Sequence, residues 1–112
     1  ISVTSNIAPR LMADMHNAWQ AGDIVAAQDI NARVIDLHDA MFCEASPGPV
    51  KYAANLLGIC SAKTRLPLCE IADSSKAQVE AALSGGVPCR KQTHGQGTYH
   101  HRAYCRKSQG TP

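Results

Sequence analysis

DIVAAQDINARVIDLHDAMFC, residues 23–43, is the stretch on which the fold turns. Ala27, Ile30, Val34, Leu37 and Met41 recur at three- and four-residue intervals, the spacing of one helix face, and Ile35 and Phe42 form a second apolar stripe beside them. The pattern predicts a long helix from about Ile24 to Cys43, entered through Asp23 as a cap. Two apolar stripes on one helix imply contacts on two sides. Upstream, Pro9 suits the first turn of a helix, and Leu11, Met15, Ala18 and Trp19 give an amphipathic helix over Pro9 to Gln20, ended by a left-handed turn at Gly22. Downstream, Pro47-Gly48-Pro49 breaks the chain before a short helix carrying Val50, Ala53, Ala54 and Leu57, closed by Gly58. A last helix is expected where Ser75 and Gln78 have capping-box spacing, with Val79, Ala82 and Leu83 on its apolar edge. Ile1 to Ile7 alternates β-branched and small polar residues and reads as a short strand, with Asn6 placed to cap the helix behind it.

Size and charge set further bounds. A chain of 112 residues holds one modest core and excludes a complete eight-stranded α/β barrel, which needs about 250 residues. No apolar run approaches the ~20 residues of a membrane span, and the opening at Ile1 has neither a signal peptide nor an initiator Met, so the expected protein is cytoplasmic, without a membrane partner, and its start looks internal. Five scattered cysteines, Cys43, Cys60, Cys69, Cys89 and Cys105, fit reduced thiols better than a disulfide scaffold. Residues 1–87 carry six basic and nine acidic side chains, whereas 88–112 carry five basic and none acidic, which places a boundary at Gly85-Gly86.

Three segments, in order, carry a family likeness: Ile1-Ser2-Val3-Thr4-Ser5-Asn6, Glu44-Ala45-Ser46-Pro47-Gly48-Pro49-Val50-Lys51-Tyr52-Ala53, and Thr64-Arg65-Leu66-Pro67-Leu68, with Asp36-Leu37-His38-Asp39 between the first two. Over residues 1–87 the chain resembles the C-terminal part of the dihydrodipicolinate synthase family of pyruvate-dependent class I aldolases. That resemblance implies a mostly α fold: the last strand and helix of a (β/α)8 barrel over residues 1–21, and a C-terminal helical domain over 22–87 packed as a small helix bundle. It also implies the activity of the parent, a lyase that condenses pyruvate with aspartate semialdehyde through a Schiff base on the route to lysine. The lysine, tyrosine and arginine that serve that reaction belong to earlier strands, so the resemblance implies a segment inactive alone, with pyruvate a ligand only of an intact parent.

The residues themselves offer no substitute for that lysine. A Schiff-base amine must be neutral, which requires an apolar pocket or a neighbouring cation. Lys51, Lys63, Lys76, Lys91 and Lys107 all read as solvated. Ser5 and Asn6 are the candidates for the rim of an active site in an intact parent, set against a helix-capping role. Asp36, His38 and Asp39 lie too close in sequence to act as a catalytic triad, and His38 and His16 read as packing or surface residues. Cys43, Cys60 and Cys69 read as small buried hydrophobes, and no cofactor is expected.

The tail, 88–112, reads as a basic disordered segment foreign to the family. A one-base shift over the codons for Cys105 to Thr111 can spell a sequence resembling the start of the tmRNA-binding small protein B, which would make the tail an out-of-frame reading. Cys89, His94, His100, His101 and Cys105 are zinc-ligand types without knuckle spacing, and the basic residues around Tyr99 and Tyr104 license weak, non-specific nucleic-acid attraction only. A small metal- or nucleic-acid-binding module is therefore the rival function. The favoured expectation is a scaffold or oligomerisation segment that self-associates or pairs with the missing part of the barrel.

Overall fold

The computed structural model describes residues 1–86. Four α-helices make the body: α1 (Pro9–Gln20), α2 (Ile24–Ala40), α3 (Gly48–Leu56) and α4 (Asp73–Gly86). Pro9 opens α1 as expected. Gly22 at φ 79° reverses the chain, and Asp23 accepts the Ala26 amide at 3.0 Å to start α2. With no Cβ, Gly22 adopts that left-handed backbone without the usual steric cost. Gly58 at φ 74° does the same after α3.

Helix α2 is the central element, packing on α1 along one side and on α4 along another, while α3 also lies against α4. The stripe read from the sequence is the buried one. Val34, Leu37, Ala40 and Met41 are fully covered, joined by Ala53 and Ala54 of α3 and Val79 and Leu83 of α4. Removing these side chains from water is the main source of stability, at roughly 25 cal/mol per Å². At the crossing of α2 and α4 the backbones nearly touch, since a Cβ on Gly86 would stand 2.9 Å from the Arg33 carbonyl oxygen. Gly86, the last residue of α4 and of the described residues, is thus a packing residue.

The expected strand over residues 1–7 is not formed, and the described residues contain no strand. Thr4–Asn6 makes one 3-10 turn instead. A strand must pair its backbone with a neighbour; here the amides of Ile7 and Ala8 bond to the Thr4 carbonyl at 3.0 and 2.9 Å, so the groups are satisfied locally. The fold is mostly α, as read, without the barrel strand. Helix α2 stops at Ala40 rather than Cys43, and Met41 and Phe42 continue as a tighter turn. Helix α4 begins at Asp73, so Ser75 sits inside the helix instead of capping it. The peptides before Pro47 and Pro67 are cis.

Candidate functional site

The structure distributes the sequence-derived candidates over three separate places. Ser5 and Asn6 lie in the 3-10 turn, where both side chains turn back on it: the Ser5 hydroxyl donates to the Ser2 carbonyl at 2.7 Å and the Asn6 amide to the Val3 carbonyl at 2.9 Å. Asn6 therefore does not cap α1, whose N-terminal flank is Ala8 with no side-chain cap. The deeper residue of this turn is Thr4, 1% exposed, whose hydroxyl meets His38 Nδ1 at 2.7 Å. That bond satisfies a buried hydroxyl and ties the N-terminal turn to α2, which makes His38 the packing residue its position suggested. The burial of Thr4 had no sequence signal, because small polar residues alternate through the whole opening stretch.

The second place is the junction of α3 and α4. Tyr52 donates its phenol hydrogen to Glu80 Oε1 at 2.7 Å, and Lys76 stands 6.0 Å from the Tyr52 ring centre while its Nζ bonds Glu70 at 2.6 Å and Asp73 at 3.3 Å. Burial pushes the Tyr52 phenol up to about 12, and the bond to Glu80 adds to it. The Glu70 and Asp73 carboxylates hold the Lys76 ammonium above its ordinary value. A lysine so placed stays protonated, the reverse of what imine chemistry requires. Lys51 is half-buried and Lys63 exposed, while Lys91 and Lys107 lie outside the described residues. Beside this junction, Glu44 accepts the Ala72 amide at 2.8 Å and a bond from the Ser75 side chain, which together keep its carboxyl below the ordinary range. Tyr52 and Glu80, like Glu44 and Ala72, are 28 residues apart in sequence, which hides these two pairings from any local pattern.

The third place is an open groove of about 440 Å³ between α2 and α4, lined by Arg33, Asp36, Asp39, Gln78 and the backbone of Gly85 and Gly86. Asp36 and Asp39 share it, but His38 turns away to Thr4, so the three do not converge. Among the described residues no group of three His, Cys, Asp or Glu side chains can hold a metal ion. The set Cys89, His94, His100, His101 and Cys105 lies outside them. Cys60 and Cys69 are exposed and Cys43 is half-covered, so the expectation of three buried thiols is corrected: Cys60 and Cys69 stand in the irregular link between α3 and α4, away from the core. None of the described helices is long and apolar enough to cross a membrane.

Among the described residues, α1 and α4 pack against α2, and the candidate side chains stay in three separate places. The family model described as the dihydrodipicolinate synthetase family matches residues 1–85. This chain belongs to that family. Among curated relatives, the 4-hydroxy-tetrahydrodipicolinate synthase of Acidiphilium cryptum (strain JF-5) is 56% identical over 85 residues, covering 76% of this chain and 29% of the relative. The enzyme of the same name from Gluconobacter oxydans (strain 621H) is 53% identical over 83 residues, 74% of this chain and 28% of the relative. A crystal structure of dihydrodipicolinate synthase superposes with a TM-score of 0.70 at 40% identity, covering 74% of this chain and 29% of that one. A monomeric dihydrodipicolinate synthase variant gives 0.74 at 31% identity, over 77% and 29%. This member of the dihydrodipicolinate synthetase family thus spans under a third of the length of the relatives it matches.

Proposed function

We propose that this chain is the C-terminal helical segment of a dihydrodipicolinate synthase-type lyase, one that supports the catalytic barrel and performs no chemistry by itself. The observation that carries the reading is the extent of the match: residues 1–85 correspond to 29% of full-length lyases. In this reading residues 1–21 are the end of the barrel, 22–87 the appended helical domain, and 88–112 a tail outside the family. The parent reaction, condensation of pyruvate with aspartate semialdehyde through a lysine imine, is served by residues before this segment. Within it, the Lys76 ammonium is held charged by Glu70 and Asp73. Barrel enzymes assemble their sites from the ends of several strands, so a helical segment can contribute only packing and position.

Incubation with pyruvate and borohydride, followed by mass spectrometry, tests this reading. No reduced adduct is expected on the chain alone. A covalent pyruvyl adduct on Lys51, Lys63 or Lys76 would overturn it.

A further inference from the structure

One polar residue of the opening segment is sunk in the core and bonded twice. The Thr4 carbonyl accepts the amides of Ile7 and Ala8 at 3.0 and 2.9 Å, and Ala8 is the residue from which α1 starts. Its hydroxyl meets Nδ1 of His38, in the last turn of α2, at 2.7 Å. Thr4 thereby fixes the 3-10 turn to the beginning of one helix and the end of another. Around it Ser2 and Ser5 are bonded to each other and Asn6 to the Val3 carbonyl, all three with part of their surface open. Valine would fill the volume of Thr4 and need no partner, whereas a buried hydroxyl is costly unless it is bonded. An apolar contact tolerates sliding, while a short hydrogen bond holds distance and direction together. The pair therefore fits a demand for placement rather than for burial. It forms with either tautomer of the ring, the hydroxyl donating to a bare Nδ1 or accepting from Nδ1–H.

In the function proposed above, residues 1–21 are the end of the barrel. A turn that leads from a barrel strand into the helix behind it is a βα connection, and such connections form the face on which barrel enzymes build their sites. The Thr4–Asn6 turn runs into α1 at Pro9, so by connectivity it is the last of them. We infer that His38, through its bond to Thr4, is a positioning residue for the parent reaction: from the helical domain it sets where the final turn of the active-site rim stands, and with it Ser2, Ser5 and Asn6. His38 itself touches no substrate in this arrangement. A displacement of about 1 Å at such a rim costs up to about 100-fold in rate, so loss of the bond should be read in turnover as well as in stability. The inference rests on the lyase reading and deepens it by naming one residue through which the helical domain acts on the site.

The test joins the part of the Acidiphilium cryptum relative that precedes the match to residues 1–112, and compares T4V/H38L, T4V and H38N with the unsubstituted fusion. T4V/H38L replaces both partners by apolar side chains of similar size and orphans no polar group, so its melting midpoint should stay within about 3 °C. Its kcat for condensing pyruvate with aspartate semialdehyde should fall about 10-fold or more. KM for pyruvate should move less than about 3-fold, and borohydride should still trap the pyruvate adduct. H38N, whose amide group lies as many bonds from Cα as Nδ1 does, should hold kcat within about 3-fold of the unsubstituted value. A kcat for T4V/H38L within about 2-fold of that value would mean that the pair only packs, overturning the inference and leaving the lyase reading intact. H38N as slow as T4V/H38L would also overturn it. If T4V/H38L has no cooperative transition, T4V decides in its place, because it leaves the half-buried His38 open to water: full turnover overturns the inference, and a loss of about 10-fold at an unmoved midpoint upholds it. An unsubstituted fusion with neither adduct nor turnover would sink the lyase reading itself.

Discussion

Leu37→Ala offers the sharpest check on how these helices hold together. Leu37 is wholly buried in the last turn of α2, in one cluster with Ala40, Met41, Ala53, Val79 and Leu83, and the Gly86 backbone closes over it, with the position of a Cβ there 3.7 Å from Leu37 Cβ. Truncation removes transfer energy and leaves a cavity that a close crossing of helices cannot collapse to fill, so the cost belongs in the range of about 2–5 kcal/mol. For a body of this size, total stability is about 4–13 kcal/mol at roughly 0.05–0.15 kcal/mol per residue. A loss on that scale lowers the melting midpoint by about 8–40 °C at ~4–8 °C per kcal/mol. Ile35→Ala, two residues away on the exposed second stripe, should cost about 0.5 kcal/mol or less in the chain alone. Urea unfolding followed by far-ultraviolet circular dichroism measures both, and the midpoint for Leu37→Ala should fall at an unchanged slope. If Ile35→Ala were as costly as Leu37→Ala, the assignment of inner and outer stripes would be wrong.

Two further predictions concern pH. Tyr52 has its folded-state pKa raised to about 12 from the ordinary tyrosine value of 10.0, so its protonated form is favoured in the native state; its contribution is complete below pH 10 and is lost as pH rises towards 12. In Tyr52→Phe the fall in melting midpoint across that alkaline window should be shallower, with the part due to Lys76 retained; an unchanged slope would refute the phenol's role. Glu44 has its carboxyl held low by Ser75 and the Ala72 amide, so its contribution is present above the ordinary carboxylate pKa of 4.5 and disappears as pH falls below it. Glu44→Gln should flatten the acid limb of the stability profile, and an acid limb identical to that of the parent chain would contradict the bond.

The helices were legible where local chemistry is sufficient. Pro9, Gly22 and Asp23 fix the ends of α1 and the start of α2 by backbone rules that need no tertiary partner. The buried face of α1 was less so: Trp19, counted on its apolar side, is 64% exposed, whereas Met12 is buried. Amphipathic spacing shows that a helix has a face, but neighbours decide which angle is covered. The opening stretch failed for a related reason. Alternation at Ile1, Val3, Ser5 and Ile7 describes a strand only if another backbone lies within hydrogen-bonding reach, and without one the same residues turn. The contacts at Tyr52, Glu80 and Lys76 join α3 to α4 across a loop, and no pattern of neighbours along the chain announces them.

Glu44 joins positions 28 residues apart when it accepts the Ala72 amide, and so turns the excursion through α3 into a closed ring. The largely exposed span from Ile59 to Glu70 hangs from that ring and adds no residue to the buried core. A protease nick there would sever the covalent path yet free nothing, since α4 remains gripped by α2, α3 and the clasp at Glu44. The two pieces would stay together as a complex held by contact alone.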